Sequence, residues 1–332
     1  MPTPTIGVFD SGFGGLTVLR ALLPLVPAAH YIYLGDTARL PYGSKSRETI
    51  SRYAISSARF LADQGADLLV IACNTATALA LDDIKSNLPI PVIGVIQPGA
   101  EAAKNQATIA DKTTIANKST IADKSTIADI SAATEKGIVI LSGAKNPRIS
   151  PAAPRTHKDN HVLVLATTAT TQSRAYTQAL TALGLKVTEK ACPLLVPLVE
   201  EGWIDNPLNA AVTLEVLRIY LLEALAEAPN ATTLLLGCTH YPLLKPLIDT
   251  TLRNLRHPMH IIDSAQATAQ TVAAHIHTNT SNTPPITTSK PPITTTPTCD
   301  FYATDSIEKF QRLGSNFLGQ PLKEVHLIDL GG

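Results

Sequence analysis

Short apolar runs alternate with longer amphipathic stretches along most of this chain. In the first hundred residues, runs of strand length cover residues 6–9, 31–34, 68–72 and 92–96. Stretches of helix length lie between them, at residues 17–25, 47–64 and 75–85. Strands that alternate with helices in this way predict a mostly parallel sheet with helices on both faces.

The same alternation returns in the second half of the chain. Predicted strands cover residues 162–166, 186–189, 233–236 and 260–262. Predicted helices cover residues 170–183, 208–226, 243–252 and 265–275, and a last strand at 300–303 precedes a helix at 306–313. The run 191–202 contains two prolines, which argue against a regular helix, so it is predicted to be a loop near a domain junction.

Two segments interrupt the alternation. Residues 102–160 contain four six-residue copies of Thr-Ile-Ala-(Asp/Asn)-x-(Ser/Thr), which begin at positions 108, 114, 120 and 126. A β-helix coil is one interpretation of that period, but a polar, low-complexity insertion in a surface loop is favoured. Residues 137–141 are apolar enough for an additional strand. Residues 278–298 are rich in Thr and Pro, duplicate the unit Pro-Pro-Ile-Thr-Thr, and are predicted to be extended.

Composition narrows the class of protein. A chain of 332 residues with 45% hydrophobic residues is long enough for two globular domains. Lys+Arg and Asp+Glu both total 27, which gives no electrostatic reason to expect a nucleic-acid or anionic-membrane partner. No signal peptide is evident, and no apolar run approaches the roughly 20 residues of a membrane span. Four scattered cysteines do not form a disulfide scaffold, so a reduced, cytoplasmic protein is expected.

Two of those cysteines begin similar motifs. Cys73-Asn74-Thr75 and Cys238-Thr239-His240 each follow a predicted buried strand, at the strand end where α/β sheets bind ligands. A lone cysteine there is usually a core residue. Two such thiols on opposite sides of a substrate would instead suit a racemase that needs no cofactor. The N–H groups of the helix after Cys73 suit a substrate carboxylate. They are also expected to lower the pKa of the Cys73 thiol. The Cys-x-His pair could be half of a zinc site, but the sequence has no second Cys/His pair at ligand spacing, so zinc is not favoured. No group of polar residues accompanies Cys192 or Cys299 in the sequence, so both are interpreted as structural.

A glycine-rich turn follows the first predicted strand, in Asp10-Ser11-Gly12-Phe13-Gly14-Gly15. A dinucleotide fingerprint would need glycine where Thr17 stands, so nucleotide binding is not favoured. Two interpretations stay open for Asp10 and Ser11: they line a ligand pocket, or one of them caps a helix. A second turn, at residues 40–44, would by itself be read as a plain loop.

These motifs together resemble the glutamate racemase family of cofactor-independent aspartate/glutamate racemases. The residues that carry the resemblance occur in seven ordered segments: Asp10-Ser11 with the glycine turn, Pro41-Tyr42-Gly43, Cys73-Asn74-Thr75-Ala76, Val95-Ile96-Gln97-Pro98-Gly99, Ala166-Thr167…Thr170, Cys192-Pro193…Glu200, and Gly237-Cys238-Thr239-His240-Tyr241-Pro242. The resemblance implies two similar α/β domains with mostly parallel sheets and an active site at their interface. The first domain would comprise residues 1–99 and 262–332, and the second residues 100–261.

The resemblance also implies roles for individual residues. Cys73 and Cys238 would exchange the α-proton of glutamate, with Cys73 acting on the D-isomer. Asp10 would assist Cys73, His240 would assist Cys238, and Glu200 is a further catalytic candidate. The substrate would be held by Asp10, Cys73, Cys238 and His240. A second group would also hold it: Ser11, Pro41, Tyr42, Gly43, Asn74, Thr75 and Thr239. Which of Thr167, Thr168, Thr170 and Thr171 contacts substrate stays open.

The expected activity is interconversion of L- and D-glutamate, which supplies D-glutamate for peptidoglycan. No cofactor or metal is expected, the partner is the small-molecule substrate, and a homodimer is expected. Three alternatives stay open: an aspartate racemase of the same fold, a hydrolase built on Cys238 and His240, and a non-catalytic role in binding DNA gyrase. His240 favours glutamate over aspartate by resemblance, and a hydrolase would leave Cys73 without a role.

Overall fold

A computed structural model of the protein describes residues 3–120, 160–280, 297–322 and 324–331. The strands are β1 Thr5–Asp10, β2 His30–Gly35, β3 Leu68–Ile71, β4 Val92–Gly94, β5 His161–Ala166, β6 Lys186–Ala191, β7 Thr233–Gly237, β8 His260–Asp263, β9 Thr298–Ala303 and β10 His326–Leu327. The α-helices are α1 Leu16–Leu22, α2 Arg47–Asp63, α3 Asn74–Asn87, α4 Ile96–Thr120, α5 Thr168–Ser173, α6 Ala175–Ala182, α7 Leu195–Glu200, α8 Pro207–Glu227, α9 Lys245–Asn254, α10 Ser264–Thr280 and α11 Ile307–Leu318.

The strands form two parallel sheets. The first has the order β10-β9-β2-β1-β3-β4, and the second has the order β6-β5-β7-β8. The central strands β3, β5 and β7 are buried along their whole length, because helices cover both faces. The prediction of two α/β units with mostly parallel sheets is therefore confirmed. The domain boundaries, 1–99 with 262–332 and 100–261, stay predictions.

The two sheets belong to one packed body. One apolar cluster contains Val70 of β3 and Leu165 of β5, together with residues of helices α1 and α10. A hydrogen bond also joins the halves, from the Thr17 hydroxyl to the carbonyl of Thr239 at 3.0 Å. The carboxyl ends of β1 and β7 are thereby brought close to each other.

The segment after β4 differs from its prediction. The strand predicted for 92–96 ends at Gly94, and Ile96 begins the long helix α4, which continues to Thr120. Residues 102–120 are therefore helical, so for them the surface-loop interpretation is wrong, and the first two repeat copies do not form a β-helix coil. The physical reason is that residues 100–120 contain neither Gly nor Pro, and several Ala and Lys, which favour a helix. The other two copies (apart from Thr120), the apolar run 137–141 and most of the Thr/Pro-rich segment lie outside the described residues.

Two further predictions need correction. A loop was predicted for residues 195–200, but they form helix α7. The helix accepts Pro197 because this proline is its third residue, and the first N–H groups of a helix have no intrahelical partner. The helix predicted for 170–183 is divided into α5 and α6 at Arg174, which has φ 59°. In the described part of the chain, no helix combines the length and the apolar character needed to cross a bilayer.

Candidate active site

Both motif cysteines lie directly beyond the carboxyl ends of central strands. Cys73 caps the N-terminus of α3, where its Sγ accepts a hydrogen bond from the backbone N–H of Ala76 at 3.4 Å and lies 3.3 Å from the Ser11 hydroxyl. Cys238 follows β7 directly, and each cysteine is only 5% exposed. The strand-end position that the sequence predicts for the two thiols is thus the one that the fold produces.

The glycine turn after β1 brings the two motifs together. Gly14 lies so close to Thr239 and His240 that a Cβ atom at this position would collide with both side chains. On the other side of the turn, Ser11 contacts Cys73. The two thiols are near enough for their charges to interact, since Cys238 contributes to a rise in the pKa of Cys73. They therefore share one site between the two sheets.

Asp10 is the last residue of β1 and lies in this site. Its carboxyl is almost fully buried, and Oδ2 accepts a hydrogen bond from the backbone N–H of Gly12 at 2.9 Å. Oδ1 has no hydrogen-bond partner. Burial raises the pKa of Asp10, while the charge of His240 opposes that rise. Asp10 is thus a carboxyl with one oxygen still available to a ligand or to a proton.

The buried His240 and the partly buried Glu200 form a pair beside Cys238. His240 Nε2 lies 3.1 Å from Glu200 Oε1, and His240 Nδ1 lies 4.0 Å from Cys238 Sγ. Burial alone would lower the pKa of His240, but hydrogen bonds with Cys238 and Glu200 outweigh it and raise this pKa to about 10. Burial raises the pKa of Glu200, but the bond to His240 more than offsets this and the pKa falls. A protonated imidazole therefore stands next to the Cys238 thiol.

Cys73 has a different electrostatic setting, and here the expectation from the sequence is wrong. Burial raises the pKa of its thiol to about 12, and the charge of Asp10 adds to the rise. The hydrogen bond from the backbone N–H of Ala76 does lower the pKa, as expected, and so does the bond with the Ser11 hydroxyl, but together they lower it by less than burial raises it. Cys73 is therefore a neutral thiol in this structure. A cation bound beside it would favour its thiolate.

Hydroxyl and amide groups from both halves meet next to Cys73. Thr75 Oγ1 lies 3.1 Å from Thr167 Oγ1 and 3.2 Å from Thr170 Oγ1. Asn74 Oδ1 accepts a hydrogen bond from the Tyr176 hydroxyl at 2.7 Å. Among the four candidate threonines of the second half, Thr167 and Thr170 are the two that contact Thr75. The role of Tyr176 could not be found in the sequence, because nothing in a short helix signals a partner 102 residues away.

The Pro41-Tyr42-Gly43 turn approaches the same place from the first half. A Cβ atom at Gly43 would lie 3.4 Å from Thr167, so the backbone of this turn reaches the second half. The Tyr42 hydroxyl bonds to Asp36 Oδ2 at 2.5 Å, and Arg39 Nε lies 2.8 Å from the same oxygen. Asp36 is fully buried and anchors the turn, a role that the sequence did not reveal.

The site thus contains two thiols, each with its own proton partners, and a surrounding set of hydrogen-bonding groups. Asp10 and Ser11 lie beside Cys73, and His240 with Glu200 lies beside Cys238. Such a site can remove a proton from one face of a bound molecule and return one to the other face. Within the described residues, no group of three or more His, Cys, Asp or Glu side chains is arranged to hold a metal ion.

Comparisons with known proteins agree with this geometry. A family model described as Asp/Glu/Hydantoin racemase matches residues 6–119 and 150–272. The chain is 42% identical to a glutamate racemase of Koribacter versatilis, over 99% of this chain and 98% of that protein. It is 36% identical to a glutamate racemase of Geobacter metallireducens, over 99% and 98% respectively.

Solved structures give the same result for the fold. The crystal structure of glutamate racemase from Thermus thermophilus in complex with beta-chloro-D-alanine is 33% identical, with a TM-score of 0.70 over 99% of this chain and 98% of that one. The glutamate racemase of Francisella tularensis, in complex with D-glutamate, is 28% identical, with a TM-score of 0.72 over 99% of each chain.

Proposed function

This chain belongs to the Asp/Glu/hydantoin racemase family, and we propose that it is a glutamate racemase, which interconverts L- and D-glutamate. The observation that carries the proposal is the placement of two buried thiols in one site, each at the end of a central strand of a different sheet. The reaction is an isomerisation, and the two thiols supply both the base and the acid that it needs.

The two thiols exchange roles with the direction of the reaction. One thiolate removes the α-proton, and the carbanion then takes a proton from the opposite thiol. Cys238 removes the α-proton of L-glutamate, and Cys73 removes the α-proton of D-glutamate. His240 lies beside Cys238, with Nδ1 4.0 Å from Sγ, where it can exchange a proton with the thiol. The neutral Cys73 thiol is ready to deliver its proton when L-glutamate reacts.

The other residues of the site hold the substrate. The backbone N–H groups at the start of α3 and the side chains of Asn74 and Thr75 suit a carboxylate. Thr239 and Ser11 lie next to the two thiols, and the turn at 41–43 approaches from the first half. The ammonium of the substrate supplies the cation that favours the Cys73 thiolate when D-glutamate binds. D-Glutamate made in this way would enter peptidoglycan, and we expect a cytoplasmic homodimer.

The test is incubation of L-glutamate with the protein in deuterated water without pyridoxal phosphate. We expect the circular dichroism of L-glutamate to decay to zero and one deuteron to enter at the α-carbon. L-Aspartate, incubated in parallel, is expected to react far more slowly. An unchanged dichroism signal with L-glutamate would refute the proposed activity, and faster reaction of L-aspartate would assign the chain to the other amino acid.

A further inference from the structure

Only one of the two polar atoms in the buried side-chain amide of Asn74 has a hydrogen-bond partner within the described part of the protein. The residue is the first of α3 and is 3% exposed. Its Oδ1 accepts the hydrogen bond from Tyr176, whereas its Nδ2 has no hydrogen-bond partner. Leaving a buried amide N–H without a partner is costly, and native proteins rarely do so without a reason. An acceptor on a bound molecule would remove that cost.

Tyr176 is closely packed in the position from which it reaches Asn74. It lies on α6, in the second half of the protein, and is completely buried. Its ring lies against the backbone of β7, because a Cβ atom at Gly237 would be 2.9 Å from the ring. Burial raises the pKa of the phenol, so the hydroxyl keeps its proton and donates it. In the structure this hydrogen bond runs from the Tyr176 hydroxyl to Asn74 Oδ1.

We propose that Tyr176 is a positioning residue that fixes the Asn74 amide with Nδ2 facing a carboxylate of the bound amino acid. The proposal rests on the proposed function, since a dicarboxylate substrate requires a donor at this place. If the amide were rotated by 180°, Oδ1 would face the carboxylate and repel it. Tyr176 disfavours this rotation, because a phenol hydroxyl is a stronger donor than acceptor and its O–H would lose the Oδ1 acceptor that it now reaches. Tyr176 contributes to substrate binding without touching the substrate.

The first test compares Tyr176→Phe with the wild type in racemisation of L-glutamate. We expect KM to rise about tenfold, the usual worth of one oriented hydrogen bond, with kcat within about threefold. The carboxylate is charged in the bound substrate as well as in the transition state, so the loss of its contact is expected mainly in KM. Tyr31→Phe is the matched control. It removes a fully buried hydroxyl that bonds to the carbonyls of Leu22 and Val26, and it should leave KM unchanged.

A double-mutant cycle shows whether Tyr176 acts through Asn74. In an Asn74→Ala background, adding Tyr176→Phe should change KM by less than about twofold, because no amide remains to be oriented. If the two substitutions instead multiply their effects on KM, Tyr176 acts by another route and the proposal is wrong. An unchanged KM in the single variant Tyr176→Phe would also overturn it.

A spectroscopic measurement keeps the proposal testable if Tyr176→Phe does not fold. In wild-type protein labelled with ¹⁵N-asparagine, the side-chain amide signal of Asn74 is assigned by its absence in Asn74→Ala. We expect both Nδ2 protons to shift when D-glutamate is added. A signal that does not respond to D-glutamate would overturn the proposal even if the wild type racemises glutamate. A wild type without racemase activity would instead refute the proposed function.

Discussion

Replacing Glu200 by Gln should lower the pKa of His240 and impair Cys238. The substitution keeps the shape of the side chain but removes the charge that lies 3.1 Å from Nε2. Glu200 and Cys238 together raise the pKa of His240 from 6.5 to about 10. An opposite charge in contact is worth about 2 pH units, or about 2.7 kcal/mol. In the variant, a large fraction of His240 would therefore lose its proton near pH 8.

The assay is the pH titration of the His240 ring by NMR in ¹³C-histidine-labelled protein. The matched control is Glu201→Gln, which removes the same charge from the next residue, an exposed one. We expect the His240 titration to move down only in Glu200→Gln. Identical titration curves in the two variants would refute the view that Glu200 keeps His240 protonated.

The same variant tests the assignment of the thiols to the two faces. L- and D-glutamate have equal free energies, so kcat/KM must fall by the same factor in both directions, and we expect about 10- to 100-fold. The isotope effects should separate. Proton removal by Cys238 becomes the slower step, so the kinetic isotope effect should rise with α-deuterated L-glutamate and fall with α-deuterated D-glutamate. The opposite pattern would exchange the roles of Cys73 and Cys238.

Three further results are expected. Cys73→Ser and Cys238→Ser should each lower kcat/KM at least about 10³-fold by circular dichroism, and full activity in either would contradict the two-base scheme. Asp36→Asn should lower the urea-unfolding free energy by about 3 kcal/mol, because it removes the charge of a buried carboxylate that pairs with the partly buried Arg39; unchanged stability would contradict this. Since the pKa of His240 is raised, its stabilising contribution is complete below pH 6.5 and is lost towards pH 10. The free energy of unfolding should therefore fall between pH 6.5 and pH 10, and it should fall less steeply in Glu200→Gln than in the wild type. Equal slopes in the two proteins would contradict the coupling between His240 protonation and stability.

Much of the fold could be predicted from local pattern. The strands β1, β2, β3, β5 and β7 were predicted with bounds that differ from the structure by one residue at most, because a buried parallel strand is a continuous apolar run. The errors occurred where tertiary or positional effects decide. Helix α4 continues through a polar repeat, and Pro197 is accepted in α7 because it lies in the first turn.

The sequence by itself determined which residues could do chemistry in this protein. Two cysteines that follow apolar runs, with Asn74-Thr75 after one and Thr239-His240 after the other, fixed the candidate thiols and their neighbours along the chain. Only the tertiary structure decided their electrostatic state. It buries Cys73 deeply enough to raise its pKa, and it brings Glu200 to His240 across 40 positions of sequence. It also places Tyr176 on the Asn74 amide. Burial and contacts between distant residues arise from packing, so no local pattern can encode them.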